Sequence, residues 1–480
     1  MGPQGLTVLS FCAPDLEAWE YEDTEIVCSQ LASVLSVGSG VFVPDSSQYA
    51  EGITHYAPSS SQRSVCSVEP GNVDDLSKTL RIIARHRVPF AVKGGGHAMN
   101  QGFSSTPGVH IAMSRFSEIK YDPSSQTVDV GAGLIFDEVY DALEPHGVTV
   151  VGARVPGIGV AGFTLGGGFS WLSNERGLAL DNVMAFGLVL PDGTYTRVTE
   201  SSNSDLFFGL KGIVTKFTLK THPQGQVWGG PSLVLGEHLD EAITAASKFT
   251  SFVQDPKASL IFICGFMKGI SLPVAMMLPF YNGPTPPPGI FDDILSIPAF
   301  QQNISTQSFP SLIRSQSSDI YRNTRGVFNT VSLMGLSENF LRAAVNETKF
   351  WSDYLINEPG LSTLYAFQPF LPSAFAQASE ESSAFPFSRR LMLPSCITYS
   401  WTESSSDDRI HEAVRQSTKQ LAMFAQGEGQ DISHLPLYGN YAIFGTPLER
   451  IYGGNVERLK RIKQQYDPDN VMGLTGGWRL

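Results

Sequence analysis

The run Pro89-Phe90-Ala91-Val92-Lys93-Gly94-Gly95-Gly96-His97-Ala98-Met99-Asn100 constrains the fold more than any other stretch: an apolar, β-prone segment breaks into three glycines and then a histidine. Glycine accepts positive φ and lets the main chain come close to a ligand, so successive N–H groups can converge on a phosphate-sized anion. Lys93 adds a positive charge. A strand feeding a glycine loop beside an imidazole suits a nucleotide cofactor, although the same residues also suit an ordinary turn. Downstream context decides between the two. At domain-sized separation follows Val151-Gly152-Ala153-Arg154-Val155-Pro156-Gly157-Ile158-Gly159-Val160-Ala161-Gly162-Phe163-Thr164-Leu165-Gly166-Gly167-Gly168.

Within that second stretch, Gly157 to Gly162 spells GxGxxG after a strand, with Asp181 at about the spacing of a Rossmann acidic residue. That fingerprint needs a helix to start inside it. Here Phe163-Thr164-Leu165 runs into Gly166, Gly167 and Gly168, and glycine costs about 1 kcal/mol each in a helix interior. An NAD site is therefore rejected in favour of main chain passing close to a flat ligand.

The flanking pattern is α+β. Asp74 or Asp75 is expected to cap a helix with Leu76, Leu80 and Ile83 on one face. Val109 to Ala112 and Thr127 to Gly131 read as strands, Ile135 to Leu143 as a helix stopped by Pro145 and Gly147, and Val148 to Val151 as a strand. Val183 to Leu190 and Thr194 to Val198 alternate and are joined by Pro191-Asp192-Gly193, a hairpin signal. Leu260 to Phe280 is the most apolar window, but Gly265, Lys268, Gly269 and Pro273 interrupt it, so it reads as two strands and not a membrane span. Glycines cluster at 225–230, and beyond them aromatics and prolines are more frequent. This gives expected units of 1–225, 226–434 and 435–480. A length of 480 residues is too great for one ordinary core. The net charge of −13 disfavours a nucleic-acid partner.

The first two stretches, together with the tail Tyr452-Gly453-Gly454-Asn455-Val456-Glu457-Arg458-Leu459 continuing through Tyr466-Asp467-Pro468-Asp469-Asn470-Val471-Met472, resemble the FAD-linked oxidoreductases of the vanillyl-alcohol-oxidase superfamily. The likeness is to the berberine-bridge-enzyme-like oxidases of fungi and runs over nearly the whole chain. It implies a two-part FAD-binding domain of PCMH type, with an inserted substrate domain built on an antiparallel sheet. It also implies FAD joined through His97 to the 8α-methyl carbon of the flavin. Val155 stands where bicovalent members have a second, cysteine link, so one covalent bond is expected. Lys93, Gly94, Gly95, Gly96, Gly102, Ser114, Gly157, Ile158, Gly159, Gly162, Gly166, Gly167, Val183, Ile213 and Asn440 are the further expected cofactor contacts. Cys28 and Cys66 match a pair that is disulfide-bonded in many relatives. The five cysteines show no zinc spacing, and no metal is expected.

The chemistry implied is hydride removal from a C–H bond of a carbohydrate or small alcohol, with oxygen as acceptor and peroxide as product. Tyr438 occupies the position of the base in sugar oxidases. Ile158 stands where relatives control oxygen access. Two departures qualify the likeness. Arg176 precedes Gly177 where relatives usually carry a tyrosine; a fixed cation near Tyr438 would favour its phenolate, and a surface arginine, the commoner fate of arginine in a loop, fits the position equally. A glycine- and asparagine-rich insert of roughly six residues is missing between Gly212 and Ile213, equivalent to about 20 Å of extended chain. Either the coding sequence is misassembled or the flavin site is altered, so a degenerate protein without redox activity stands as an alternative, as does an oxidative cyclase of secondary metabolism. The sequons Asn303-Ile304-Ser305 and Asn346-Glu347-Thr348 place secretion ahead of a cytosolic life, although the run Leu6 to Ala13 makes no convincing signal peptide. The chain is expected to act as a monomer on a small molecule and oxygen, without nucleic acid or membrane.

Overall fold

A computed structural model describes residues 21–266, 273–316, 324–377, 381–385 and 392–480. The Leu6 to Ala13 run with Cys12, and Lys268 and Gly269, lie outside the described residues.

Three sheets carry the architecture. The first has four strands in the order Gly40–Phe42, Cys66–Glu69, Val109–Ala112, Phe90–Lys93, the last three mutually parallel. Helix Val73–His86 connects two of its strands and buries Leu76, Leu80 and Ile83 as expected. The second is a five-stranded antiparallel sheet in the order Ile119–Asp122, Thr127–Gly131, Ile213–Lys220, Val183–Val189, Tyr195–Val198, which includes the expected hairpin. The third is a ten-stranded sheet whose paired strands are all antiparallel and lie between Val227 and Trp401. Strands Ala258–Phe266 and Val274–Tyr281 within it are the two read from the apolar window. Helices Leu239–Phe252, Glu338–Tyr354 and Asp407–Gly427 bury their apolar faces in the core of this unit.

The tail then comes back to the first sheet. Thr475 forms a parallel bridge with Phe90, next to the glycine loop. Asn100 clasps the same returning segment, its Nδ2 donating to the Ala442 carbonyl at 2.9 Å and its Oδ1 accepting the Phe444 N–H at 3.1 Å. Cys28, on helix Tyr21–Val34, is disulfide-bonded to Cys66. Cys264 and Cys396 are buried thiols.

Two local readings need correction. The cap of helix Val73–His86 is Asn72, whose side chain accepts the Asp75 N–H at 2.9 Å, and not Asp74 or Asp75. Asp75 has another task. Its fully buried carboxylate accepts from the Ser36 and Ser39 hydroxyls and from Lys78, fastening the helix to the turn that follows helix Tyr21–Val34. Burial alone would raise its pKa, but these donors outweigh it and hold the carboxyl well below the usual range. The second correction concerns the GxGxxG stretch. A helix does begin inside it, Val160–Leu165, and stops at Gly166. It is still no Rossmann unit, because the preceding strand Val148–Thr149 pairs antiparallel with His222–Pro223 and makes no parallel crossover.

Replacing Asp75 with Ala is expected to cost about 1–3 kcal/mol, seen as a lower urea midpoint. The depressed pKa contributes stability above the ordinary Asp range and loses it as pH falls toward the folded-state value. Asp75→Ala therefore shows a shallower acid dependence than the parent chain.

Candidate functional site

The strand Phe90–Lys93 delivers the chain into Gly94, Gly95 and Gly96, the last at φ 71°. Among the described residues, none of the main-chain N–H groups from Gly94 to Met99 donates to a protein acceptor. Such a row of free donors is what an anion requires. The second glycine loop meets the first here. Gly159 packs directly on the main chain of Gly95, so a Cβ on either would overlap the other's backbone. Gly157, at φ 81°, and Gly162 border open space instead, with nothing within 4 Å of a Cβ at either position. The Gly157 N–H is already held by Asp137 Oδ2 at 2.8 Å.

His97 stacks face to face on Tyr56, with ring centres 4.0 Å apart and an interplanar angle of 14°. Its Nε2 is buried without a hydrogen-bond partner. Burial pulls its pKa down to about 4, so the imidazole is neutral at neutral pH, with a lone pair available. Lys93 does not reach toward an anion. Its Nζ donates to the carbonyls of Glu51 and Thr54, each at 2.9 Å, and burial lowers its pKa to about 8.

Tyr438-Gly439-Asn440-Tyr441 forms a turn closed by the Tyr441 N–H on the Tyr438 carbonyl at 2.9 Å. Asn440 Nδ2 donates to the Tyr438 hydroxyl at 2.9 Å and to the Phe163 carbonyl at 3.1 Å, and the Asn440 amide fills the space left by the missing side chain of Gly166. Gly167, at φ 107°, packs against Phe385 and Leu178. Tyr438 is 2% exposed, ringed by Phe169, Phe385 and Tyr441, and burial raises its pKa well above the ordinary tyrosine value.

The expected cation beside Tyr438 is not Arg176. That residue is exposed, and its charge acts on His222, whereas Tyr438 feels Arg154. Arg154, Tyr441 and Gln368 form a buried polar group that sequence reasoning passed over: the Tyr441 hydroxyl accepts from Arg154 Nη2 at 3.1 Å and from Gln368 Nε2 at 3.3 Å. Also missed was His110, whose ring nitrogens are both buried without partners and whose pKa burial lowers to about 3. It lies edge-on to His55, 6.1 Å away.

The other expected contacts scatter. Gly102, at φ 83°, gives its N–H to Ser105 Oγ at 3.1 Å, Ser114 is exposed, and Ile158 is partly buried against the core. Val183 and Ile213 sit at opposite ends of one ladder, paired with Leu219 and Val189, roughly 20 Å apart along the strand. Immediately before Ile213, Gly212 takes φ 141° against the Val189 carbonyl, and the strand that follows carries register shifts. Among the described residues no cluster of potential metal ligands occurs, and no helix is long and apolar enough to cross a membrane.

The sequence matches the "FAD binding domain" family over residues 65–199 and the "Berberine and berberine like" family over residues 438–475. It is 32% identical to an uncharacterized FAD-linked oxidoreductase of Arthroderma benhamiae, over 93% of this chain and 94% of that protein. It is 29% identical to FAD-dependent monooxygenase drtC of Aspergillus calidoustus, over 93% and 88% of the two chains. The fold is similar to that of Physcomitrella patens BBE-like 1, with a TM-score of 0.77 at 19% identity, over 93% of this chain and 97% of the other.

Substituting Gly159 with Ala is expected to force the two glycine loops apart and lower the thermal unfolding midpoint. Gly162→Ala, at an exposed helical position with open space around it, is expected to leave stability unchanged or raise it by up to about 1 kcal/mol, while weakening FAD retention. Differential scanning calorimetry and flavin absorbance separate the two effects.

Proposed function

Because the chain belongs to the berberine-bridge-like FAD-linked oxidoreductases, we propose that it holds FAD covalently through His97 and oxidises a C–H bond of a carbohydrate or small alcohol, with oxygen as acceptor and hydrogen peroxide as co-product. The observation that carries this reading is the buried, unpartnered Nε2 of His97 beside the row of free N–H groups. When bound, FAD supplies the two-electron oxidation of the substrate carbon. The neutral His97 nitrogen provides the attachment point, and the N–H groups from Gly94 to Met99 offset the charge of the pyrophosphate. Asn440 Nδ2 fixes the Tyr438 oxygen, which in its phenolate form takes up the substrate hydroxyl proton. Lys93 contributes by anchoring the loop to the 51–54 segment, and Arg176 has no part in the proton transfer. The exposed sequon residues Asn303 and Asn346 and the Cys28–Cys66 disulfide support a secreted protein. The short connection ahead of Ile213 favours a second reading, a flavin-fold protein with impaired flavinylation.

Denaturing electrophoresis with flavin fluorescence tests the attachment: the parent chain gives a fluorescent band, and His97→Ala gives none. A colourless parent preparation favours the second reading. Buried Tyr438 holds its proton at neutral pH, so the rate of peroxide release is expected to climb through the alkaline range. Tyr438→Phe loses that climb and about 10²–10⁴-fold in rate.

A further inference from the structure

Arg154 lies between the strand Val148–Thr149 and the Gly157 loop and is only 7% exposed. Its charge is poorly matched. Among the described residues it pairs with no carboxylate. Its recorded partners are the Tyr441 hydroxyl at 3.1 Å and the ring of Phe370, whose centre is 5.7 Å from the guanidinium carbon. A guanidinium presents five N–H donors, and burying one with so few partners is costly unless an anion completes the site. Gln368 supplies a second unmet demand. Its Nε2 is spent on the same Tyr441 hydroxyl, while its Oε1 is buried with no partner.

These groups come from three parts of the chain. Arg154 sits in the glycine-rich stretch, Gln368 directly follows strand Ser362–Phe367 of the large sheet, and Tyr441 lies on the returning tail beside Tyr438, with ring centres 4.8 Å apart. The other groups facing Tyr441 are Phe328 and the buried Cys396 thiol, neither of them an anion at neutral pH. A cation and an unused carbonyl acceptor therefore converge next to the proposed proton acceptor, and among the described residues no anion pairs with the first and no donor reaches the second.

Resting on the oxidoreductase reading above, we propose that Arg154 is the anion-recognising residue of the substrate pocket. The substrate is then a small organic acid, with a carboxylate or enolate oxygen for Arg154 and a neighbouring hydroxyl or N–H for Gln368, and not a neutral sugar. Charge-assisted pairing with a buried guanidinium would set both its affinity and its orientation.

Calorimetric titration of the full chain with two matched pairs of probes tests this: mandelate against phenylethanediol for a carboxylate, and 4-hydroxycoumarin against coumarin for an enolate. At least one anion is expected to bind roughly tenfold or more tightly than its neutral counterpart. Arg154→Gln, which keeps an N–H for Tyr441 and removes only the charge, erases that preference, and Arg154→Lys restores part of it. If neither anion is favoured, or if the preference survives in Arg154→Gln, the proposal fails. A lowered unfolding midpoint in Arg154→Gln with the preference intact makes Arg154 a structural tether and also overturns it. Flavin content is measured separately, so a flavin-free preparation that still prefers the anion sinks the covalent-FAD reading and leaves this one standing.

Discussion

Two pieces of main chain touching without side chains between them make the site. Gly95 and Gly159 stand so close that a methyl group on either would enter the other's backbone. That contact sets the strand Phe90–Lys93 against the helix Val160–Leu165 at a spacing other residue types cannot reach. The free N–H groups from Gly94 to Met99 begin at this contact, and the open faces of Gly157 and Gly162 lie on the same second loop as Gly159.

Burial then acts on charge in two opposite ways. His97 and His110 answer it by giving up their protons, with pKa values drawn down to about 4 and about 3. Neutral imidazoles cost little to bury and keep a nucleophilic nitrogen. A guanidinium stays charged when buried, so at Arg154 burial leaves a charge that geometry must satisfy. The glycine loop thus carries a neutral imidazole, and the tyrosine turn lies beside a buried cation.

Much of the scaffold was legible in the sequence. Val109–Ala112, Thr127–Gly131 and the hairpin of Val183–Val189 with Tyr195–Val198 follow from alternation and turn chemistry, because those signals are local. The helix at Val160 was not legible: propensity argues against it, and tertiary packing of Val160 and Thr164 overrides propensity. Lys93 was recognised as a cation, but its direction depends on carbonyls some forty residues earlier in the chain. Arg154 lay in plain view within the glycine stretch, yet its partner Tyr441 is 287 residues away, and no spacing rule connects them. Arg176 drew attention through its position before a glycine, which says nothing about exposure.

The Asn100 clasp has a consequence for the birth of the protein. Its partners lie 342 and 344 residues downstream, so a ribosome adding about 5–20 residues per second leaves Asn100 without them for roughly 20–70 s. The contact that ties Asn100 to the tail therefore forms only after nearly the whole chain has been translated.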